Sequence, residues 1–222
     1  MNLTPVQARI MGCLIEKEMA TPDNYPLTMN ALLAACNQTT NRNPVTKLEE
    51  PTVSNALLNL RAENLVRIVY SRSNRADKYR HVLDEVLAIE PPHLALLSVL
   101  MLRGPQTASE LRARTERLHP FDSQDEVDDA LRELAARGEP LVARLERRPG
   151  QKESRWAHLL GGDLAEALAD DDEDEADTAA RPAHRADRIT ALEDAVAELR
   201  ADLERLQAAH HDLVVRLGED DG

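Results

Sequence analysis

The sequence has few aromatic residues, with one Phe, one Trp and three Tyr among 222 residues. A folded core must therefore be built from Leu, Ala, Val and Ile, and a hydrophobic content of 42% is sufficient for one. Two cysteines, Cys13 and Cys36, lie within apolar helical patterns, where a thiol packs as a small hydrophobic group. This cysteine usage is not that of a secreted, disulfide-bonded fold.

Long hydrophobic segments are absent as well. The longest apolar run, residues 94–102, is interrupted by Ser98 and is far shorter than the roughly 20 residues of a membrane-spanning helix. The chain opens without the basic and apolar regions of a signal peptide. The sequence therefore predicts a soluble, cytoplasmic protein that does not contact membranes.

Signatures of enzymes are also missing. The eight glycines form no phosphate-binding loop, and the seven histidines are scattered without the spacing of metal ligands. Neither cysteine belongs to a CxxC motif, and the acid pairs Glu16/Glu18 and Glu49/Glu50 are interpreted as solvated helix charges. We expect no catalytic residue, no metal and no cofactor.

The net charge of −13 is unevenly distributed along the chain. Residues 1–83 carry +3, residues 84–162 carry −3 and residues 163–222 carry −13. The acidity therefore belongs mainly to the C-terminal tail. The mildly basic N-terminal third is compatible with nucleic-acid binding.

Helix-start signals and β-branched runs follow one another in the first third of the chain. Residues 4–7, Thr-Pro-Val-Gln, are a capping box with proline at the first helical position, and further helices are predicted to begin at Thr28 and Pro51. Residues 66–70 and 79–83 are predicted strands joined by a polar turn. Three helices followed by a two-stranded hairpin are typical of a winged-helix domain, a variant of helix-turn-helix.

The same order of signals recurs in the second third. The predicted elements are an apolar helix over residues 94–102, helices that begin at capping boxes in residues 107–110 and 123–126, and hairpin strands over residues 141–145 and 154–159. Gly138 is predicted to cap the last of these helices. The predicted fold is therefore mainly α with small β-hairpins (α+β), in tandem winged-helix domains over residues 1–84 and 85–162.

An acidic linker and a coiled coil are predicted for the tail. Residues 163–185 include six consecutive carboxylates, which repel one another and favour disorder. Three roles remain open for this block: solubilisation, coverage of the basic hairpin in cis as a DNA mimic, and binding of a basic partner.

Residues 186–218 form the predicted coiled-coil helix, because apolar residues recur there with alternating spacings of three and four. A lone helix of this kind is marginal in water, so we expect a homodimer; the alternative is a helix that folds back on the winged domains. The seam consists of Ile189, Leu192, Val196, Leu199, Leu203, Leu206, His210, Leu213 and Leu217.

Candidate DNA contacts lie on the third helix and the hairpin, or wing, of the first domain. In a winged helix the third helix enters the major groove, where asparagine can read adenine, and the wing contacts the backbone. The candidates on the third helix are Thr52, Ser54, Asn55, Asn59 and Arg61. Those on the wing are Arg67, Arg72, Arg75, Lys78 and Arg80, which outnumber a single acid, Asp77, and would neutralise phosphates. The alternative is that these are ordinary polar surfaces.

A polar loop precedes the third helix, and its candidate binding residues are Gln38, Asn41, Arg42 and Asn43. Two interpretations stay open: the loop donates hydrogen bonds to a nucleic acid or peptide, or its asparagines close turns.

The third helix of the second domain is acidic. It carries Asp125, Glu126, Asp128, Asp129 and Glu133 against Arg132 and Arg137, and it would repel phosphate. The second domain is therefore expected to pack on the first, to dimerise or to bind a protein partner. Trp156 is predicted to anchor the second hairpin in the core.

The N-terminal motifs resemble those of the YceH family of bacterial proteins. They are Leu-Thr at 3–4, Ala-Arg-Ile-Met-Gly at 8–12, Leu-Ile-Glu-Lys-Glu at 14–18, Thr-Pro-Asp at 21–23, Tyr-Pro-Leu-Thr at 25–28, Asn-Ala-Leu at 30–32, Ala-Cys-Asn-Gln at 35–38, Asn-Arg-Asn-Pro-Val at 41–45 and Lys-Tyr-Arg-His at 78–81. The resemblance covers about residues 3–160. It implies the tandem winged-helix fold and no particular reaction.

Two functions are therefore expected as alternatives. The first is a dimeric, non-enzymatic protein of regulatory type that binds double-stranded DNA through the first domain. The second is a protein–protein scaffold that uses tandem winged helices without binding nucleic acid.

Overall fold

The computed structural model describes residues 1–70, 76–147 and 153–161, together with Arg205. The chain divides into two compact units, residues 1–170 and 171–222, and nearly all described residues belong to the first. The predicted acidic linker, the coiled-coil seam and two of the candidate DNA contacts, Arg72 and Arg75, lie outside the described residues.

The described residues form an α+β fold with seven α-helices and two small antiparallel sheets. In the first half the elements are α1 (Pro5–Ala20), a 3-10 turn (Pro22–Asn24), β1 (Leu27–Thr28), α2 (Met29–Cys36), α3 (Glu50–Ala62), β2 (Val66–Val69), β3 (Lys78–His81) and α4 (Leu83–Leu87). Strand β3 lies between β1 and β2, and Ile68 is paired with Tyr79 in the register of the hairpin.

The second half repeats this order. Its elements are α5 (Pro91–Arg103), β4 (Gln106–Thr107), α6 (Ala108–Thr115), α7 (Gln124–Ala135), β5 (Val142–Arg144) and β6 (Arg155–His158). Strand β6 lies between β4 and β5, so the two sheets share one strand order. Trp156 on β6 is buried, as predicted.

The helix caps follow the sequence signals at two of the three predicted capping boxes. Thr4 and Thr107 each accept from the backbone of the residue three positions on, and that residue's side chain accepts in return. At Ser123 the box is incomplete, because the Glu126 carboxylate accepts from the Asp122 N–H instead. The prediction that Gly138 caps α7 is wrong: the cap is Ala136, whose ordinary helical conformation requires no glycine.

Besides the 3-10 turn, two strands and one helix were not predicted. Strands β1 and β4 have two residues each, which is too short to show an alternating pattern, yet each completes a sheet as its third strand. Helix α4 follows β3 directly, and the predicted domain boundary between residues 84 and 85 falls inside it.

The two halves pack through α1 and α5, which are buried along most of their length. Gly12 lies against Leu102 at this contact, and the Ser98 hydroxyl donates to the Gly12 carbonyl at 3.0 Å. Residues 94–102 are all buried, which explains why every one of them except Ser98 is apolar, as expected for a core helix.

Candidate nucleic-acid interface

Helix α3 presents a polar face to solvent. Val53, Leu57 and Leu60 are buried, and the candidate DNA contacts Thr52, Asn55, Asn59 and Arg61 are exposed, with Ser54 half-buried. This division follows from the helical spacing of the three apolar residues. The predicted DNA contacts of α3 are therefore accessible to a partner from solvent, although Ser54 is so only in part.

The arginines of the wing are partly neutralised by a neighbouring acid. Arg67 on β2 and Arg80 on β3 are directly paired across the hairpin, and they bind the two carboxylate oxygens of Glu85 on α4 at 3.0 and 2.9 Å. The hydrogen bond from Arg80 lowers the pKa of Glu85. The sequence-based count, which set Asp77 alone against this wing, was wrong because α4 brings a second acid onto it.

Lys78 lies at the opposite end of β3 from His81 and is half-exposed. It pairs with Thr28 on one side and Val69 on the other. Lys78 and Arg61 are the candidate cations of the first half for which no ion pair is found among the described residues.

The surface of α7 is acidic, as the sequence indicates. Asp125, Glu126, Asp129 and Glu133 are exposed, and Arg132 is paired with Asp129. Helix α7 occupies in the second half the place that α3 occupies in the first. Within its bounds α3 carries one acid, Glu50, and one base, Arg61, so its face repels a polyanion less than the face of α7 does.

Two residues of the polar loop, Arg42 and Gln38, form hydrogen bonds within the protein. The Arg42 side chain is fully buried, and its guanidinium donates to both oxygens of Glu16, at 3.1 and 2.7 Å, and to the Ala35 carbonyl at 3.0 Å. Gln38 accepts from Arg42 at 2.7 Å, whereas Asn41 and Asn43 are exposed. Arg42 is thus committed to contacts with α1 and α2, a role that neither interpretation of the loop predicted.

Glu16 is buried, so its interpretation as a solvated helix charge was wrong. Burial raises the pKa of this carboxyl, but the hydrogen bonds and charge of Arg42 outweigh burial and hold the pKa below its ordinary value. Sequence reasoning missed this pair because 26 residues separate its members. Glu18, taken with Glu16 as a solvated charge, instead contacts the buried His81 on β3.

His158 on β6 is half-buried, with its Nδ1 atom inside the protein, and it predicts a pH effect on stability. Burial lowers the pKa of its imidazole to about 4. The folded state therefore resists protonation, and stability is lost as the pH falls from about 6.5 towards 4. Between pH 7 and pH 5 we expect His158 to account for a loss of about 2 kcal/mol in unfolding free energy. Urea titrations at both pH values should show a smaller loss in His158→Gln, and equal losses in the two proteins would contradict the assignment.

A family model described as "Protein of unknown function, DUF480" matches residues 3–151. The chain belongs to the DUF480 family. The segment that matches DUF480 runs from α1 to beyond β5, so it includes both faces compared above and the Glu16–Arg42 pair.

Curated relatives agree with membership in DUF480. A UPF0502 protein of Pelobacter propionicus is 48% identical over 207 residues, which are 93% of this chain and 94% of the relative. A UPF0502 protein of Geobacter sulfurreducens is 54% identical over 161 residues, 72% of this chain and 73% of the relative. One of Burkholderia cenocepacia is 48% identical over 163 residues, 73% of this chain and 68% of the relative.

Within the ranges given above, no helix has both the length and the apolar character needed to cross a bilayer. The same residues hold no group of three or more His, Cys, Asp or Glu side chains placed to bind a metal ion.

Proposed function

We propose that the protein is a non-enzymatic, cytoplasmic DNA-binding protein of regulatory type, and that each half is a winged-helix domain. The order helix, short strand, two helices and two strands, with the last strand in the middle of the sheet, supports this fold in both halves. We also infer that the YceH family, whose motifs the N-terminus resembles, and the DUF480 family are the same family.

The observation that carries the DNA proposal is the solvent-facing polar side of α3. Thr52, Asn55 and Asn59 offer hydroxyl and amide groups on one exposed face, the kind of side chains that read base edges in the major groove. Arg61 and Lys78 add cations that no described carboxylate neutralises, so they are the members of the set best placed to meet phosphate.

The second half plays another part in the proposal. The acidic face of α7 would repel the DNA backbone. In this proposal the first half therefore binds DNA, and the second half packs against the first through the contact of α5 with α1. Dimerisation through residues 186–218 would then present two copies of α3 to two half-sites, as two-fold symmetric regulators do.

The test is fluorescence anisotropy with the full-length protein and a random DNA duplex across a range of salt concentrations. We expect binding that weakens steeply with salt. In the double variant Arg61→Glu/Lys78→Glu, the plot of log K against log salt should become less steep by about 1 for each residue. The affinity for DNA at low salt should fall roughly tenfold or more.

The matched control reverses two arginines of the second half, as Arg132→Glu/Arg144→Glu. These residues lie on α7 and β5, so the change in net charge is the same and the location differs. Affinity for DNA should then change by less than about threefold, through long-range charge alone. Equal losses in both double variants, or no binding by the wild type at low salt, would contradict the proposal.

A protein scaffold is the second candidate, and exposed apolar side chains on the same face favour it. Leu58 on α3 and Tyr70 after β2 are 55% and 76% exposed, and both line a shallow depression with Arg67 and Ile68. Leucine and tyrosine in one depression are typical of protein interfaces. Under this function, Leu58→Ser/Tyr70→Ser would abolish partner capture, and Lys78→Glu, which lies outside the depression, would leave it intact.

A further inference from the structure

A cavity of about 210 Å³ lies where the two halves meet near the N-terminus. Its lining comes from the beginning of α1, the loop before α3, the end of α5 and the end of β6. Both halves are needed to form it, because Val6 and Arg9 belong to α1 and Leu100 and His158 belong to α5 and β6. It is distinct from the face of α3 and from the wing.

Two of the lining side chains carry buried nitrogen atoms that have no hydrogen-bond partner among the described residues. They are Nη1 of Arg9 and Nδ1 of His158. Arg9 is 5% exposed, and its other terminal nitrogen, Nη2, donates to the Pro44 carbonyl at 2.6 Å. Proteins rarely leave a buried guanidinium without an anionic partner, because desolvation of an unpaired charge is costly.

The charge around Arg9 increases this cost. No carboxylate forms an ion pair with Arg9 in the described part of the chain, whereas the nearby Arg42 has Glu16. Burial, followed by the positive charge of Arg42, lowers the pKa of Arg9. An anion in the cavity would relieve both effects.

The remaining walls are mainly apolar. Leu3, Val6, Leu100, Met101 and Ala157 contribute to them. An inorganic anion would leave these groups in contact with water, whereas a hydrocarbon group would cover them. A cavity of about 150 Å³ can hold benzene, and drug-sized ligands need roughly 300 Å³ or more, so the ligand is small.

We propose that this cavity binds a small monocarboxylic acid with an apolar body, such as a benzoate-sized molecule. The carboxylate accepts hydrogen bonds from Nη1 of Arg9, and the hydrocarbon part packs against the leucine and valine side chains of α1 and α5. His158 donates one further hydrogen bond to the carboxylate in the tautomer that carries its proton on Nδ1. Because the site spans both halves, its ligand also stabilises the contact between them.

The experiment uses the full-length protein with four probes: benzoate, cyclohexanecarboxylate, benzamide and inorganic phosphate. Isothermal titration and thermal unfolding should detect binding of the two carboxylates, with a rise in Tm that grows with concentration. Benzamide has the shape of benzoate without its charge, and phosphate has charge without an apolar body. Both should bind at least tenfold more weakly than benzoate.

Two further measurements locate the site. The variant Arg9→Met should lose at least tenfold in affinity for benzoate, and Arg61→Met, which removes an exposed arginine of α3, should lose none. In the wild-type protein, nuclear Overhauser effects should connect the ring protons of benzoate to the methyl groups of Val6 and Leu100, which keeps the test informative if Arg9→Met does not fold.

Several outcomes would overturn the proposal. They are no binding of either carboxylate at 10 mM, equal affinity for benzamide, equal affinity for phosphate, and Overhauser contacts to methyl groups outside the cavity. DNA binding need not change in any of these cases, so the two proposals fail separately.

Discussion

Replacing Arg42 with methionine is expected to lower the free energy of unfolding by about 3–5 kcal/mol. The substitution keeps an unbranched side chain of similar length, but it leaves the Glu16 carboxylate in a site where its side chain is 11% exposed and its strongest partner is gone. The Ala35 carbonyl and Gln38 also lose a donor. Equilibrium denaturation in urea measures the effect.

The double variant Glu16→Leu/Arg42→Met separates the loss of an interaction from the presence of a buried charge that keeps only Lys17 as an ion-pair partner among the described residues. Removing both members eliminates the buried charge, so the double variant should be more stable than Arg42→Met alone. Arg61→Met serves as the control for loss of an exposed arginine and should change stability by less than about 0.5 kcal/mol. If Arg42→Met were as stable as this control, the buried ion pair would not hold the polar loop.

Replacing Gly12 with leucine is expected to destabilise the protein by about 3 kcal/mol or more, at the upper end of the range for overpacked cores. A Cβ at this position would stand 2.8 Å from Cγ of Leu102 and 3.3 Å from Cβ of Met101. Cβ of Met101 is fixed to the backbone of α5, and Cγ of Leu102 can move only if this buried side chain changes χ1, so we expect α1 and α5 to separate. The hydrogen bond from Ser98 to the Gly12 carbonyl would be strained as well.

Compensation provides the test of this explanation. In Gly12→Ala, a second change of Leu102→Ala should recover part of the lost stability, because it removes the atoms that the new Cβ meets. Gly138→Ala is the control, since no atom lies within 4 Å of a Cβ built there and its stability should hardly change. Additive losses in the double variant would contradict close packing of α1 on α5.

The elements with strong local signals were predictable from sequence. Thr4 and Thr107 mark helix starts through backbone and side-chain groups three residues apart, so the signal lies within one turn of chain. The exposed polar face of α3 was predictable for the same reason, because Val53, Leu57 and Leu60 define its buried side by their spacing.

The charge of the candidate site was less predictable. Glu85 neutralises Arg67 and Arg80 because α4 follows β3 without a loop, and no pattern in the sequence announced that helix. Counting charges within the hairpin alone therefore overestimated its positive charge. Which charges become neighbours depends on tertiary packing.

The sequence by itself determined the repeated order of the longer helices and the hairpins, the burial of the apolar faces and the acidity of α7, since each depends on residues a few positions apart. Tertiary structure alone decided that Arg42 is paired with Glu16, that α5 packs closely against Gly12, and that Arg9 and His158 line one cavity. These contacts join residues that lie from 26 to 149 positions apart along the chain. Such pairs form because folding brings whole helices together, and local propensity carries no information about which side chains then meet.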